Sequence, residues 1–250
     1  HAYQLTDKFE SFQKLGKQSG FLYYVPAWNT SKIDPTTGFT NLFNTKYENV
    51  EKSREFIGKF DCISYDEAKL CFKFSFDYSK FTYKAEGSRT KWDVYSIGER
   101  IESYRNPDKN NEWDTRNVNL TEEFISLFDK YGVDWKIVDI KSQLLSFDKN
   151  FYRDFLHLFS LVLQLRNSNA AINEDKIVSP VMNNRGEFFE SNIDNYAYPL
   201  DADANGAYNI ARKGLWIIEK IQNTDIEELD KIKLAISNKE WLAYAQEHTL

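Results

Sequence analysis

No apolar run in this sequence approaches the roughly 18 to 20 residues that cross a bilayer, which excludes a membrane-spanning helix. No positively charged segment leads into an apolar stretch near its start, so a secretory signal is not expected. An initial Met is lacking too, which points to a fragment or a processed chain. Cysteine is nearly absent. Cys62 and Cys71 cannot make a disulfide framework. Placed on what read as adjacent strands, they fit reduced core thiols of a cytoplasmic protein. Histidine is as scarce (His1, His157 and His248), does not cluster, and is joined by no Cys-x-x-Cys, so a tetrahedral zinc site has no ligands. His157 lies on an apolar-rich helix and reads as a partly buried structural residue. Internal repeats and low-complexity tracts are missing as well.

Excess positive charge is also missing. A formal net charge of −6 argues against a simple basic nucleic-acid binder. Its distribution is uneven: residues 1–166 carry 24 acids and 24 bases, whereas residues 167–203 set seven acids against two bases. Such a cluster is either a solvated loop or the cation-holding part of a site.

What is present suffices for a real core: 250 residues, 42% of them hydrophobic and 16% aromatic. Thr6 to Gly16 has the spacing of a short amphipathic helix, and Gly20 to Pro26 that of a strand buried on both faces. A polar loop turns at Pro35-Thr-Thr-Gly38, and Tyr47 to Phe60 reads as helical. Ile63 to Phe76 reads as a hairpin in which Leu70, Phe72, Phe74 and Phe76 alternate with polar residues. Trp92 to Ile97 and Arg100 to Tyr104 are weaker strands. Thr121 to Tyr131 and Phe151 to Leu165 are helices, the second ending near Arg166. Ile177 to Val181 and Phe188-Phe189 flank a second hairpin turn at Asn183-Asn-Arg-Gly186. Helices over Ala204 to Gln222 and Asn238 to Glu247 complete the chain, the last opened by the capping box Ser237-x-x-Glu240. This order of elements defines a mixed α/β or α+β chain and no function.

The chemistry concentrates in Asp201-Ala-Asp-Ala-Asn-Gly-Ala-Tyr-Asn-Ile-Ala211. Two carboxylates stand two apart at the mouth of a helix lined by small residues, which would allow a backbone or substrate close. Magnesium-dependent phosphodiester hydrolysis needs such oxygens to hold ions against the phosphate. The plainer reading is that Asp201 or Asp203 only caps the helix. Arg166 has a similar pair of readings, as a bidentate phosphate grip without base specificity or as a cation favourable at a helix C-terminus. The scattered aromatics, such as Trp28, Tyr47, Trp92, Tyr104 and Trp113, are mostly core, although stacking on bases is open to them.

The segment Asp201 to Ala211 resembles the third RuvC motif of the type V CRISPR effectors and of the related TnpB-type transposon nucleases. Three further segments resemble the type V-A effectors in particular, in the family's order: Gln18 to Phe39, Asn106 to Arg116, and Gln164-Leu-Arg-Asn-Ser168 followed by Ser179-Pro-Val181. The resemblance implies an α/β fold in which residues 1–26 and 200–250 form part of an RNase H-like RuvC domain. Residues 27–199 would be the inserted, mixed α+β Nuc domain. It implies that Asp203 is the third acid of the RuvC triad, with Asp201 a neighbour that tunes the metal site or caps the helix. The other two acids would lie outside this chain. Arg166 matches a Nuc arginine near the active site, and Ser168 and Asp175 match polar positions beside it, Ser168 to bond a phosphate and Asp175 to orient Arg166. The TnpB-type relatives carry a Cys-x-x-Cys knuckle where this chain has Asp34 and Thr37, so no zinc is implied. The implied cofactor is Mg2+ or Mn2+. The implied partners are guide RNA, target DNA and single-stranded DNA at the cleft between Nuc and RuvC, in the cytoplasm of a prokaryote defending itself against viruses. The rival readings are a noncatalytic module that positions strands and a structural lid over the RuvC sheet.

Overall fold

Three phenylalanines on one face of a strand require a cover on that face. In the computed structural model, β3 (Phe60–Asp66), β4 (Cys71–Asp77) and β5 (Lys91–Tyr95) form an antiparallel sheet in that order. Phe72, Phe74 and Phe76 are buried beneath three helices, α1 (Val50–Gly58), α2 (Leu120–Tyr131) and α3 (Lys149–Val162). The rings meet largely edge to face. Phe74 lies 5.0 Å from Phe159 and Phe72 5.0 Å from Phe128, contacts that add about 0.5–1.5 kcal/mol each beyond area burial. Each helix starts on a side chain that accepts from a backbone N–H two or three residues on: Asn49, Asn119 and Asp148. Gly132 ends α2 in the left-handed region, as its place in the sequence predicts.

The structure describes residues 2–5, 20–23, 25–42, 45–81, 89–166, 177–190, 198–228, 233 and 235–249. The helix expected over Thr6 to Gly16 lies outside them. β1 (Ala2–Leu5) and β2 (Gly20–Tyr23) form one antiparallel pair, and among the described residues every strand pairing is antiparallel. Among the described residues the fold is a mixed α/β arrangement of small sheets and five α-helices. Among the described residues no helix is long and apolar enough to cross a membrane.

Several expectations need correction. Leu70 does not continue the Phe72 face; it sits in the β3–β4 turn at φ 53° and is 68% exposed. A further strand, β7 (Glu112–Asn119), pairs along its whole length with β6 (Glu99–Asn106). Most of its side chains face solvent on both sides, so it carries no hydrophobic period. α3 ends at Val162, three residues earlier than its apolar spacing suggests, so Arg166 does not lie in its last turn. His157 is on the solvent side of α3, its side chain half exposed, with Nε2 2.6 Å from Glu102 Oε1. Of the two thiols only Cys71 is a core residue; Cys62 is half-buried. Cys62 faces Ser75 and Cys71 faces Asp66 across the sheet, both are free, and burial pushes Cys71 up to about 12.

Arg100 closes the end of α3. Its side chain is fully buried and donates to the carbonyls of Leu161, Val162, Ile97, Glu99 and Val178, with no carboxylate beside it among the described residues. Burial pulls its pKa down to about 9, which leaves it charged at neutral pH. One guanidinium thus ties β6, the end of α3 and β8 (Val178–Met182) together. Hydrogen bonds from charged groups contribute about 1.5–3 kcal/mol each, so Arg100→Met is expected to lower stability by at least about 2 kcal/mol. Denaturant titration measures this, and a loss under 0.5 kcal/mol would show that water replaces the guanidinium.

Candidate functional site

Loops run over surfaces because their backbone polar groups need partners. The segment from Asn29 to Leu42 does not: apart from Ser31 and Lys32 it is buried throughout. Partners inside the protein replace water. Asp34-Pro-Thr-Thr-Gly38 forms a turn in which Thr37 and Gly38 both donate backbone N–H to the Asp34 carbonyl. Gly38 adopts φ 71°, and a Cβ there would stand 2.7 Å from Gln246 Cα, so only glycine fits against helix α5 (Asn238–Glu247).

The Asp34 carboxylate is the hub of this segment. Oδ1 accepts from Thr36 N (3.1 Å), Thr36 Oγ1 (2.7 Å) and Arg166 Nη2 (3.0 Å). Oδ2 accepts from Thr37 Oγ1 (3.1 Å) and Ser179 Oγ (2.9 Å). Both sides of the ion pair are closed off, at 0% exposure for Asp34 and 1% for Arg166. Burial alone would push the Asp34 carboxyl up; the Arg166 charge and the bonds from Thr36 and Ser179 outweigh it and hold it below its usual value of 3.8.

Arg166 carries the hub outward. Nε donates to Pro199 O (2.9 Å), Nη1 to Leu165 O (2.7 Å), and the guanidinium lies 4.1 Å over the Phe189 ring in β9 (Phe188–Glu190). Beside it opens a cleft of about 610 Å³ whose walls include Thr36, Arg185, Phe188, Phe189 and Tyr198. Thr36 therefore stands in the cleft wall and on the same carboxylate oxygen as Arg166.

Pro199 leads into the acidic motif. Asp201 is the N-cap of helix α4 (Ala202–Gln222), accepting from Ala204 N at 2.7 Å. Asp203 lies in the first turn and is exposed, where a carboxylate is favourable with the helix dipole. Further along α4, Asn205 and Asn209 donate to Ile33 O (3.0 Å each), Asn209 also to Thr30 O (2.8 Å), and Lys213 to Pro26 O (3.0 Å). Spaced at i, i+4 and i+8, these three form one polar stripe that clamps the buried segment. Burial pulls Lys213 down to about 8. Among the described residues Gly206 makes no tight approach; a Cβ there would meet Ser31 Cβ at an ordinary 3.9 Å. Thr40 Oγ1, Asn41 Oδ1 and Asn205 Oδ1 are buried without a partner among the described residues, a cost of about 1–3 kcal/mol each.

Of the residues singled out from sequence, the structure links Arg166 to the approach to Asp201 and Asp203 through Pro199. Ser168 and Asp175 lie outside the described residues. The partner that orients Arg166 is Asp34, which the sequence marked only as standing where a zinc ligand might have been. The signal available was Asp-Pro-Thr-Thr-Gly, a turn whose side chains fold back on their own carboxylate. Among the described residues no three His, Cys, Asp or Glu side chains cluster to hold a metal. Asp203 by itself fits as one oxygen ligand of a hard cation, which takes six or more.

A family model described as a nuclease domain matches residues 33–193, more than half of the chain. The chain belongs to this nuclease-domain family and has a nuclease-related role. The family is the Nuc domain of the type V-A effectors. Asp34, Arg166 and Ser179 fall within the match; Asp201 and Asp203 lie beyond its end.

The depressed Asp34 carboxyl sets an acid dependence. A carboxylate favoured in the folded state stabilises fully above its unfolded value of 3.8, and that contribution is lost as pH falls through the lower folded value. Asp34→Asn leaves Arg166 buried without its counter-charge, a loss of about 3–5 kcal/mol. The stability gap between the parent and Asp34→Asn, from denaturant melts, is expected to stay constant from pH 7 to about pH 5 and to shrink only below 3.8. A gap that closes by pH 6 would rule out the ionised hub.

Proposed function

We propose that the chain contributes one metal-binding carboxylate, Asp203, and a strand-positioning Nuc domain to metal-dependent hydrolysis of both strands by an RNA-guided DNA endonuclease. In this reading residues 1–26 and 200–250 belong to an RNase H-like RuvC domain and residues 27–199 to the inserted Nuc domain. Guide RNA reads the target by base pairing, and this chain handles the strands by shape and charge. The observation that supports it best is the exposure of Asp203 in the first turn of α4 while Asp201 uses its Oδ1 as the cap. That helix start is reached through Pro199, whose carbonyl Arg166 holds.

Asp203 would hold Mg2+ or Mn2+ together with acids from outside this chain, and the ion would supply Lewis-acid polarisation of the scissile phosphate. Asp201 keeps the helix start in place so that Asp203 points outward. Arg166 acts on strand delivery from a place closed in at 1% exposure, with the Phe189 ring 4.1 Å from its guanidinium. Ser168 would donate to a phosphate of the same strand, and Asp175 would help orient Arg166. No zinc is expected where the TnpB-type relatives carry their knuckle, since here both Asp34 oxygens accept from protein donors.

A cleavage time course of the guide-loaded full-length protein, with each DNA strand end-labelled separately, tests this reading. Asp203→Ala is expected to abolish cutting of both strands and leave guided DNA binding intact, while Asp201→Asn keeps measurable activity. Arg166→Ala is expected to slow target-strand cutting by one to two decades, the equivalent of a charged contact of roughly 1.5–3 kcal/mol, and to spare the other strand. Activity in Asp203→Ala with a dead Asp201→Asn would reverse the assignment.

A second reading, a noncatalytic strand-positioning module, is favoured for the matched region by one fact: Asp203 lies outside residues 33–193. The chain by itself is expected to leave labelled single-stranded DNA intact in Mg2+ or Mn2+. Cutting that disappears with Asp203→Ala would show that the chain needs no further acids.

A further inference from the structure

We propose that Asp34 is a positioning residue for Arg166, and that the two act as one unit in handing a DNA strand to the nuclease site. The inference rests on the reading of Arg166 given above and extends it to a residue that neither the motif resemblance nor the family match assigns.

Asp34 and Arg166 are 132 positions apart, yet they form a fully enclosed ion pair with Nη2 3.0 Å from Oδ1. An ion pair meant for stability alone is a poor choice in such a place, because desolvating both charges offsets most of their attraction. What a buried pair does well is fix direction. The guanidinium is planar and forked, so pinning Nη2 on Asp34, Nε on Pro199 and Nη1 on Leu165 leaves it one orientation, flat against Phe189 at the cleft wall. Asp34 is itself immobilised by four further hydrogen bonds, from Thr36 twice, Thr37 and Ser179, and its backbone by the turn ending at Gly38. The same oxygen that holds Arg166 also holds Thr36, a wall of the cleft. Arg166 orientation and cleft shape are therefore set by one carboxylate.

The test uses the guide-loaded full-length protein and the separately labelled strands. Asp34→Asn is expected to reproduce the strand bias of Arg166→Ala, with target-strand cutting about tenfold slower, the other strand within twofold, and guided binding unchanged. The unchanged strand reports that the protein is folded, a readout that general destabilisation would not spare. In the Arg166→Ala background, Asp34→Asn is expected to add less than twofold, because the two side chains act in series. Should Asp34→Asn prove insoluble, Ser179→Ala, which removes one bond to the hub and keeps the charge, is expected to give the same bias at a few-fold. If Arg166→Ala shows no strand bias, the Arg166 reading itself fails. If Arg166→Ala is biased while folded Asp34→Asn and Ser179→Ala cut both strands at parental rates, Asp34 is not its positioning residue.

Discussion

The buried segment from Asn29 to Leu42 exists only because one carboxylate replaces the water it has given up. With Asp34 ionised and ringed by donors from Thr36, Thr37, Arg166 and Ser179, the segment can pass between α5, α4 and the chain beyond α3. Remove the charge and Arg166 is left in an apolar enclosure, where an unpaired cation is far more costly than the pair was useful. The remaining contacts presuppose this hub. Gly38 rests on α5 in the turn that Asp34 begins, and the Asn205, Asn209 and Lys213 stripe holds carbonyls of the chain leading into that turn.

Much of the fold was legible in the sequence because its determinants are local and periodic. The Phe72, Phe74 and Phe76 alternation, the Gly132 end of α2, and the Ser237–Glu240 capping box state their structures outright, and the box is present in both directions. The β6–β7 ribbon was half missed because a strand wet on both faces has no period to detect. α3 stops at Val162 because Arg100, distant in sequence, takes over its last carbonyls. Arg166 stood out through its neighbours in the chain, whereas the residue that holds it lies 132 positions away and looks like an ordinary turn Asp.

The arrangement also separates two kinds of acid that composition lumps together. Asp34 is buried, ionised and structural, Asp201 is spent on a cap, and Asp203 is exposed in the same turn. Only a carboxylate with its oxygens uncommitted can serve an external cation or a phosphate-bound ion, which is why position within a helix turn outweighs the count of acids.

An engineer seeking somewhere to splice foreign sequence would ordinarily choose irregular backbone and avoid sheets. Here that instinct fails. The irregular stretch around Asp34 has side chains or carbonyls of other elements on every side, so a single added residue would disturb four of them. The ribbon of β6 and β7 is regular yet exposed, and its tip turns through Asn110 and Asn111, both in the left-handed region and both facing water. A tag, a reporter or a second domain belongs at that tip, where the chain reverses in solvent and no buried partner has to be found for the newcomer.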